Sequence, residues 1–256
     1  MVRLGGKRTA KAAGPPVQGR FLNRLILELK LEEWSPESMG VLNERFIRHY
    51  MAEERPDDRT PITQWTPRQI FFGDIFQEFF GISHAKLRLE QASKFLQGLK
   101  SSRTSGDVIS YHVEKHFEEI YAFKNRTIAF LRRLAKLLRK RNLRGHALGL
   151  KDIEAVVERA CKGPVAVRGT HAHESRFRDE DIERVGSLDL IARRGGLLAL
   201  EPLRRQQTRR ALTKWRKTTA ANVDAVDKLM EAILGVVEPI IFDQLAPPSG
   251  IDRGKC

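Results

Sequence analysis

A run of apolar residues at helical spacing between Asp107 and about Asn142 constrains the fold of this chain more than any other feature. No glycine or proline interrupts the run, so it predicts one helix of about thirty residues. Its apolar positions are Ile109, Val113, Phe117, Ile120, Tyr121, Phe123, Ile128, Leu131, Leu134 and Leu138. A helix this long needs partners along its apolar face. We therefore predict an all-α fold, a multi-helix bundle with long antiparallel helices.

Two helices are predicted ahead of this run. Thr66 is a capping residue followed by Pro67 at the first helical position, and apolar residues recur at helical spacing from there to Gly81. Gly81 is predicted to end the first helix, and a second helix is predicted over residues 82–100.

Three more helices are predicted after it. Residues 151–161 form a short helix that Gly163 and Pro164 are expected to stop. Acidic residues at 179–181 favour a helix N-terminus there, because negative charge stabilises that end of a helix. A last long helix is predicted over residues 201–242.

The sequence suggests four regions. Residues 1–20 are basic, without an acid, and are predicted to be a mobile arm. Residues 21–65 form an N-terminal segment predicted as irregular or small and mixed, with a short helix or strand near its start. Residues 66–242 form the helical domain, and residues 243–256 are a C-terminal tail.

The net charge of the chain is +14, with a pI near 10.1. Such a charge favours a nucleic-acid, anionic-membrane or acidic-protein partner over a small neutral substrate, although it also keeps a protein soluble. Two distant cysteines argue against a disulfide framework and fit a reducing cytoplasm. The longest apolar stretch, residues 232–242, is too short to span a membrane, so no membrane partner is expected.

Two basic stretches are candidates for contact with nucleic acid. The first lies in the last turns of the long helix and the second in the first half of the final helix. The candidate residues are Arg132, Arg133, Lys136, Arg139, Lys140, Arg205, Arg209 and Lys214. The alternative is a solvated face that matches the helix dipole, since cations are favoured at a helix C-terminus.

The segment from Arg168 to Glu174 is the most chemically suggestive part of the chain. It brings a guanidinium together with the imidazoles of His171 and His173, and it is predicted to lie between two helices. Arginine offers a planar fork of donors to a phosphate, and histidine can exchange a proton near neutral pH. The cluster is therefore suited to phosphoryl chemistry, with RNA as the leading substrate.

Two features resemble the HEPN superfamily of helical proteins. One is the long helix rich in Phe, Tyr and Leu around residues 116–126, and the other is an arginine followed by a histidine after four intervening residues, Arg168 to His173. The resemblance implies a metal-independent endoribonuclease of a toxin or phage-defence system, with no cofactor. It also implies a homodimer, and an antitoxin or another protein as partner.

The resemblance also implies roles for the residues of the cluster. Arg168 would neutralise charge on the phosphate while an imidazole removes the proton of the 2′-hydroxyl. His173 is the first choice for that proton carrier, and His171 is the complementary one. The supporting residues would be Glu174, Asn125 and Arg126.

Three alternatives remain open for the cluster and the chain. The cluster can be structural, with its arginine paired to neighbouring acids. Alternating histidines on a strand can bind zinc, but further strands would have to supply the other ligands, and no metal is expected. The chain can also be a non-catalytic helical module that binds nucleic acid or a partner protein through its basic faces.

Overall fold

The computed structural model describes residues 17–29, 66–173 and 179–247, and for residues 165–173, 193 and 194 it describes the backbone alone. The chain divides into two compact units, Met1–Ile62 and Thr63–Cys256. In the first unit, helix α1 spans Val17–Glu28, with Phe21 and Leu25 one turn apart on one face. The helix therefore includes the last residues of the predicted arm. Residues 30–65 and the first sixteen residues of that arm lie outside the described part.

The described residues of the second unit form five α-helices. They are α2 (Pro67–Gly98), α3 (Gly106–Lys140), α4 (Arg144–His173), α5 (Glu180–Asp189) and α6 (Glu201–Pro239). A π-helical turn follows α5 at Leu190–Arg194, and another follows α6 at Ile240–Leu245. The described residues contain no strand, so the predicted all-α class is confirmed.

The long helix α3 is the centre of the bundle. It packs against α2, α4, α5 and α6. Helix α2 runs antiparallel to α3, because Arg133 pairs with Asp74 while Glu119, earlier in α3, pairs with Arg88, later in α2. Helix α4 is antiparallel to α3 as well, because Arg132 pairs with Glu154 while Lys124 lies close enough to Cys161 to oppose the rise that burial causes in its pKa. Helix α6 runs parallel to α3. The apolar stripe predicted from the sequence forms the core, with Ile109, Val113, Phe123, Leu131, Leu134 and Leu138 buried.

Helix α2 begins where the sequence predicts. The Oγ1 atom of Thr66 accepts a hydrogen bond from the backbone N–H of Gln69 at 3.2 Å, and the Gln69 Oε1 accepts from the backbone N–H of Thr66 at 3.0 Å. Together with Pro67 in the first turn, these bonds satisfy donors that a helix start leaves free.

The predicted end of that helix at Gly81 is wrong, because α2 continues without a break to Gly98. A glycine inside a helix costs only about 1 kcal/mol relative to alanine, which packing on the rest of the bundle offsets. Nη1 of Arg126 donates a hydrogen bond to the Gly81 carbonyl at 2.5 Å. A Cβ atom at position 81 would lie 3.7 Å from the same Nη1.

The predicted stop at Gly163 and Pro164 is also wrong, since α4 extends to His173 with Pro164 inside it. Proline removes one backbone donor and bends a helix, but it does not have to end one. In the turns before it, Val157 and Cys161 are buried while α4 packs along α3. The helix also starts at Arg144 rather than at residue 151.

Candidate nucleic-acid interface

Helix α3 and the start of α4 share a long stretch without acids. From residue 120 to residue 151 the chain has no Asp or Glu. Its cations are Lys124, Arg126, Arg132, Arg133, Lys136, Arg139, Lys140, Arg141, Arg144 and Lys151. Any carboxylate that neutralises this region must therefore lie outside residues 120–151.

Two of these cations have acidic partners. Nε of Arg132 donates to Glu154 Oε1 of α4 at 2.8 Å. Arg133 lies between two carboxylates of α2, at 2.6 Å from Asp74 Oδ2 and 2.9 Å from Glu78 Oε1. Both arginines are predicted to contact nucleic acid, and that stays a prediction. Each of them already has an acidic partner within the fold.

Four other cations form what we call the basic ridge, defined as Lys136, Arg139, Lys140 and Arg144. All four side chains are exposed, and none forms an ion pair with any residue in the described ranges. Lys136 and Lys140 lie one helical turn apart, about 6 Å along the axis of α3. The basic ridge therefore presents closely spaced cations to solvent.

The helix dipole accounts for part of the basic ridge. Arg139 and Lys140 lie in the last turn of α3, where a cation is stabilised by the partial negative charge of the helix end. The effect falls off within one turn, so it does not explain Lys136. Arg144 is the first residue of α4, where the dipole disfavours a cation, and no acid lies in that first turn. An external anion would compensate both charges.

The basic half of α6 differs, because carboxylates pair with four of its seven cations, Arg204, Arg205, Arg210 and Lys214. Nζ of Lys214 lies 2.6 Å from Asp179 and 3.2 Å from Asp181, and the Asp179 carboxylate raises the pKa of Lys214. Arg205 pairs with Glu201 at 2.9 Å. Among the predicted residues of α6, Arg209 alone is exposed and forms no ion pair within the described part of the chain.

The Arg168 cluster lies on a helix and not in the predicted loop. The backbone of α4 is helical through His173, while the side chains of Arg168, His171 and His173, and all of Glu174, lie outside the described structure. Helical geometry places positions 168 and 171 on one face, because they are one turn apart. Position 173 is rotated by about 140° from position 168. Alternating histidines on a strand, as in the zinc alternative, do not occur here.

The antiparallel pairing of α3 and α4 locates this cluster along the bundle. Extending the register of the Arg132 to Glu154 contact places positions 168–173 beside about residues 113–118 of α3. Asn125 lies about 10 Å further along α3. It is exposed, and the Arg126 guanidinium donates to the carbonyl of Gly81 on α2. Neither supporting residue is brought to the cluster by this register.

Sequence reasoning missed a buried cation. Arg204 has 0% exposure, and its guanidinium donates to both carboxylate oxygens of Glu201, to Asp189, and to the carbonyls of Ser102 and Thr104. The hydrogen bonds from Arg204 and Arg205 lower the pKa of Glu201 to about 2. Glu201, three residues before Arg204, was the available sequence signal. The site is fully satisfied by the protein, so it is structural.

The described residues contain no group of three or more His, Cys, Asp or Glu side chains arranged to hold a metal ion. None of the described helices combines the length and apolar character needed to cross a membrane. Comparison with protein-family models, with curated proteins and with solved structures found no match to this chain.

Proposed function

We propose that this protein binds RNA through the basic ridge of α3 and α4. The observation that carries the proposal is the contrast between two basic surfaces of one fold. Carboxylates pair with four of the seven cations in the basic half of α6, namely Arg204, Arg205, Arg210 and Lys214. In contrast, Lys136, Arg139, Lys140 and Arg144 have no acid partner among the described residues.

Unmatched cations at this spacing suit a phosphate backbone. Such contacts supply most of the affinity of non-specific nucleic-acid binding, because each neutralised phosphate releases condensed counterions. A net charge of +14 adds long-range attraction toward a polyanion. The choice of RNA over DNA rests on the resemblance of the Arg168 to His173 motif to HEPN ribonucleases, which also supports a role in a toxin or phage-defence system.

The test is a binding measurement with a charge-matched control. Fluorescence anisotropy of a labelled RNA oligomer is recorded over a salt series for the wild type and for the triple variant Lys136→Gln, Arg139→Gln, Lys140→Gln. The control variant removes three exposed, ion-paired cations elsewhere, Arg205→Gln, Arg210→Gln and Lys228→Gln.

The ridge variant should bind more weakly, and its slope of log K against log salt should fall by about 2, since each lost contact to single-stranded nucleic acid removes about 0.7. The control variant has the same net charge and should keep nearly the wild-type slope. Equal losses in both variants would show that total charge, and not the basic ridge, determines binding.

Metal-independent cleavage of the bound RNA is the second candidate function. It is favoured by the helical backbone of α4, which places positions 168 and 171 one turn apart. In this proposal Arg168 stabilises charge on the phosphate and a histidine moves the 2′-hydroxyl proton. His171 shares a face with Arg168, so it replaces His173 as the first choice.

Incubation of the protein with RNA in EDTA tests this candidate. The expected products carry cyclic phosphate and 5′-hydroxyl ends. Arg168→Ala and His171→Ala should abolish them, while His173→Ala should retain partial activity and all three variants should still bind RNA. Intact RNA at high enzyme concentration would eliminate the cleavage candidate and leave the binding proposal standing.

A further inference from the structure

Helix α2 carries a row of rings around the exposed Phe80, which we call the aromatic row and define as Phe76, Phe80 and His84. The three residues are spaced by one turn. Ring centroids of Phe76 and Phe80 lie 6.2 Å apart with planes at 23°, and those of Phe80 and His84 lie 6.0 Å apart with planes at 7°. The rings are therefore nearly parallel to one another along the helix.

Within the aromatic row Phe80 is exposed, while Phe76 and His84 are half-buried. The buried face of α2 is formed by other residues, among them Phe72, Ile75 and Phe79. Phe80 is 60% exposed, whereas Phe79 beside it is 3% exposed. Helix α2 thus has apolar residues on two faces and buries one of them within the fold. A large exposed ring is an available stacking surface.

Cationic and polar side chains of α3 adjoin the aromatic row. The Arg126 guanidinium reaches the carbonyl of Gly81, the residue that follows Phe80, and it has no carboxylate partner among the described residues. Asn125 is exposed at the same level of α3. The basic ridge begins ten residues further along α3 at Lys136, about 15 Å away along the axis.

Two acids of α2 lie close to the aromatic row and share one cation of α3, so the three side chains together carry one net negative charge. Asp74 and Glu78 of α2 both bind Arg133, which holds them against α3. Helix α3 contributes no acid over residues 120–140. An exposed ring beside Arg126, with the basic ridge further along α3, suits a ligand that carries both flat bases and phosphates.

We infer that the nucleic acid held by the basic ridge is single-stranded and that it stacks bases on Phe80 and His84, with Arg126 on the adjoining phosphate. This inference rests on the proposed RNA binding. Single-strand binding sites combine a cationic track with aromatic side chains on which bases stack. In a duplex the bases are stacked on each other and are not free to contact the rings. In a symmetric dimer formed through the aromatic row, Arg126 and the basic ridge of one copy would face the same cations of the other copy, and these like charges would repel.

The experiment compares Phe80→Ala with Leu203→Ala, an exposed apolar residue at the start of α6. Both substitutions are at the surface, and thermal unfolding checks that both variants keep the wild-type fold. Anisotropy is measured with a ten-nucleotide oligouridine, with an abasic oligomer of the same length and with a duplex RNA. Light scattering records the oligomeric state.

Phe80→Ala should weaken binding of oligouridine about tenfold, because stacking on one ring contributes roughly that factor. It should leave both the salt slope and the affinity for the abasic oligomer unchanged, since no charge is removed. Leu203→Ala should bind oligouridine as the wild type does.

Three results would overturn the inference. The first is that Phe80→Ala binds oligouridine as tightly as the wild type does. The second is that the wild type binds the duplex as tightly as the single strand. A dimer that Phe80→Ala dissociates would show that the aromatic row joins two copies of the chain. In each case the salt-dependent effect of the ridge variant would still support RNA binding. A wild type that binds none of the three probes at low salt would refute both proposals.

Discussion

Nε2 of His116 lies 3.2 Å from Nδ2 of Asn222, where α3 packs against α6. An amide nitrogen can only donate, so the ring nitrogen accepts and His116 is neutral with its proton on Nδ1. The ring is fully buried. Burial lowers the pKa of His116 to about 4, against a smaller opposing effect of the Leu89 backbone. A neutral imidazole is therefore part of the core.

This relationship predicts an acid-sensitive fold. Below the unfolded pKa of about 6.5 the unfolded chain binds a proton that buried His116 does not, so stability falls as the pH drops from about 6.5 toward 4. The loss should reach about 3 kcal/mol at pH 4. Urea unfolding at several pH values should show it, and His116→Gln should remove it. The same pH dependence in both proteins would contradict the prediction.

Arg204 should be among the most important residues for stability. Replacing it with leucine removes its hydrogen bonds to Asp189 and Glu201 and leaves two buried carbonyls without this donor, which we expect to cost about 3 kcal/mol or more. The control is Arg205→Gln, because Arg205 also pairs with Glu201 but is exposed, and it should change stability by less than about 1 kcal/mol. Denaturant unfolding measures both, and equal effects would be incompatible with the buried site.

The fold was largely predictable, because the regular spacing of apolar residues indicates a long helix. Helix α3 was predicted over residues 107–142 and spans Gly106–Lys140. The errors occur where a local signal conflicts with packing that is distant in sequence. Gly81 and Pro164 each weaken a helix locally, but α2 and α4 pack along α3. The residues that neighbour Gly81 or Pro164 in the sequence do not show this packing.

The basic surfaces were less predictable, because a sequence shows cations but not their partners. Lys214 and Lys136 are similar by sequence, each within a basic stretch of a long helix. Only the fold brings Asp179 and Asp181 to Lys214, across more than thirty residues of chain, and leaves Lys136 without an acid among the described residues. The roles of Arg168, His171 and His173 stay predictions.

The close approach of α3 to α5 predicts opposite effects for two glycine substitutions. A Cβ at Gly106 would lie 2.8 Å from the backbone nitrogen of Gly186 and 2.9 Å from the Ile182 carbonyl oxygen. Because both atoms belong to backbone, Gly106→Ala should destabilise the protein by about 1 to 3 kcal/mol. Gly149 of α4 has open space around it, so Gly149→Ala should stabilise the protein by up to about 1 kcal/mol. Thermal unfolding of both variants measures the difference. A change of stability in the same direction for both variants would contradict the close contact between α3 and α5.

The continuity of α4 through Pro164 predicts that removing the proline strengthens the helix. In Pro164→Ala the backbone N–H at position 164 can donate to the carbonyl of Ala160, and the ring no longer crowds that carbonyl. Helix interiors favour alanine over proline by about 3 kcal/mol, so amide hydrogen exchange should slow over residues 165–173 and global stability should not fall. Gly163→Ala is a control that removes a poor helix former without restoring a donor, and it should have a smaller effect on exchange. If residues 165–173 form a loop after Pro164, the alanine variant would leave their exchange as fast as in the wild type.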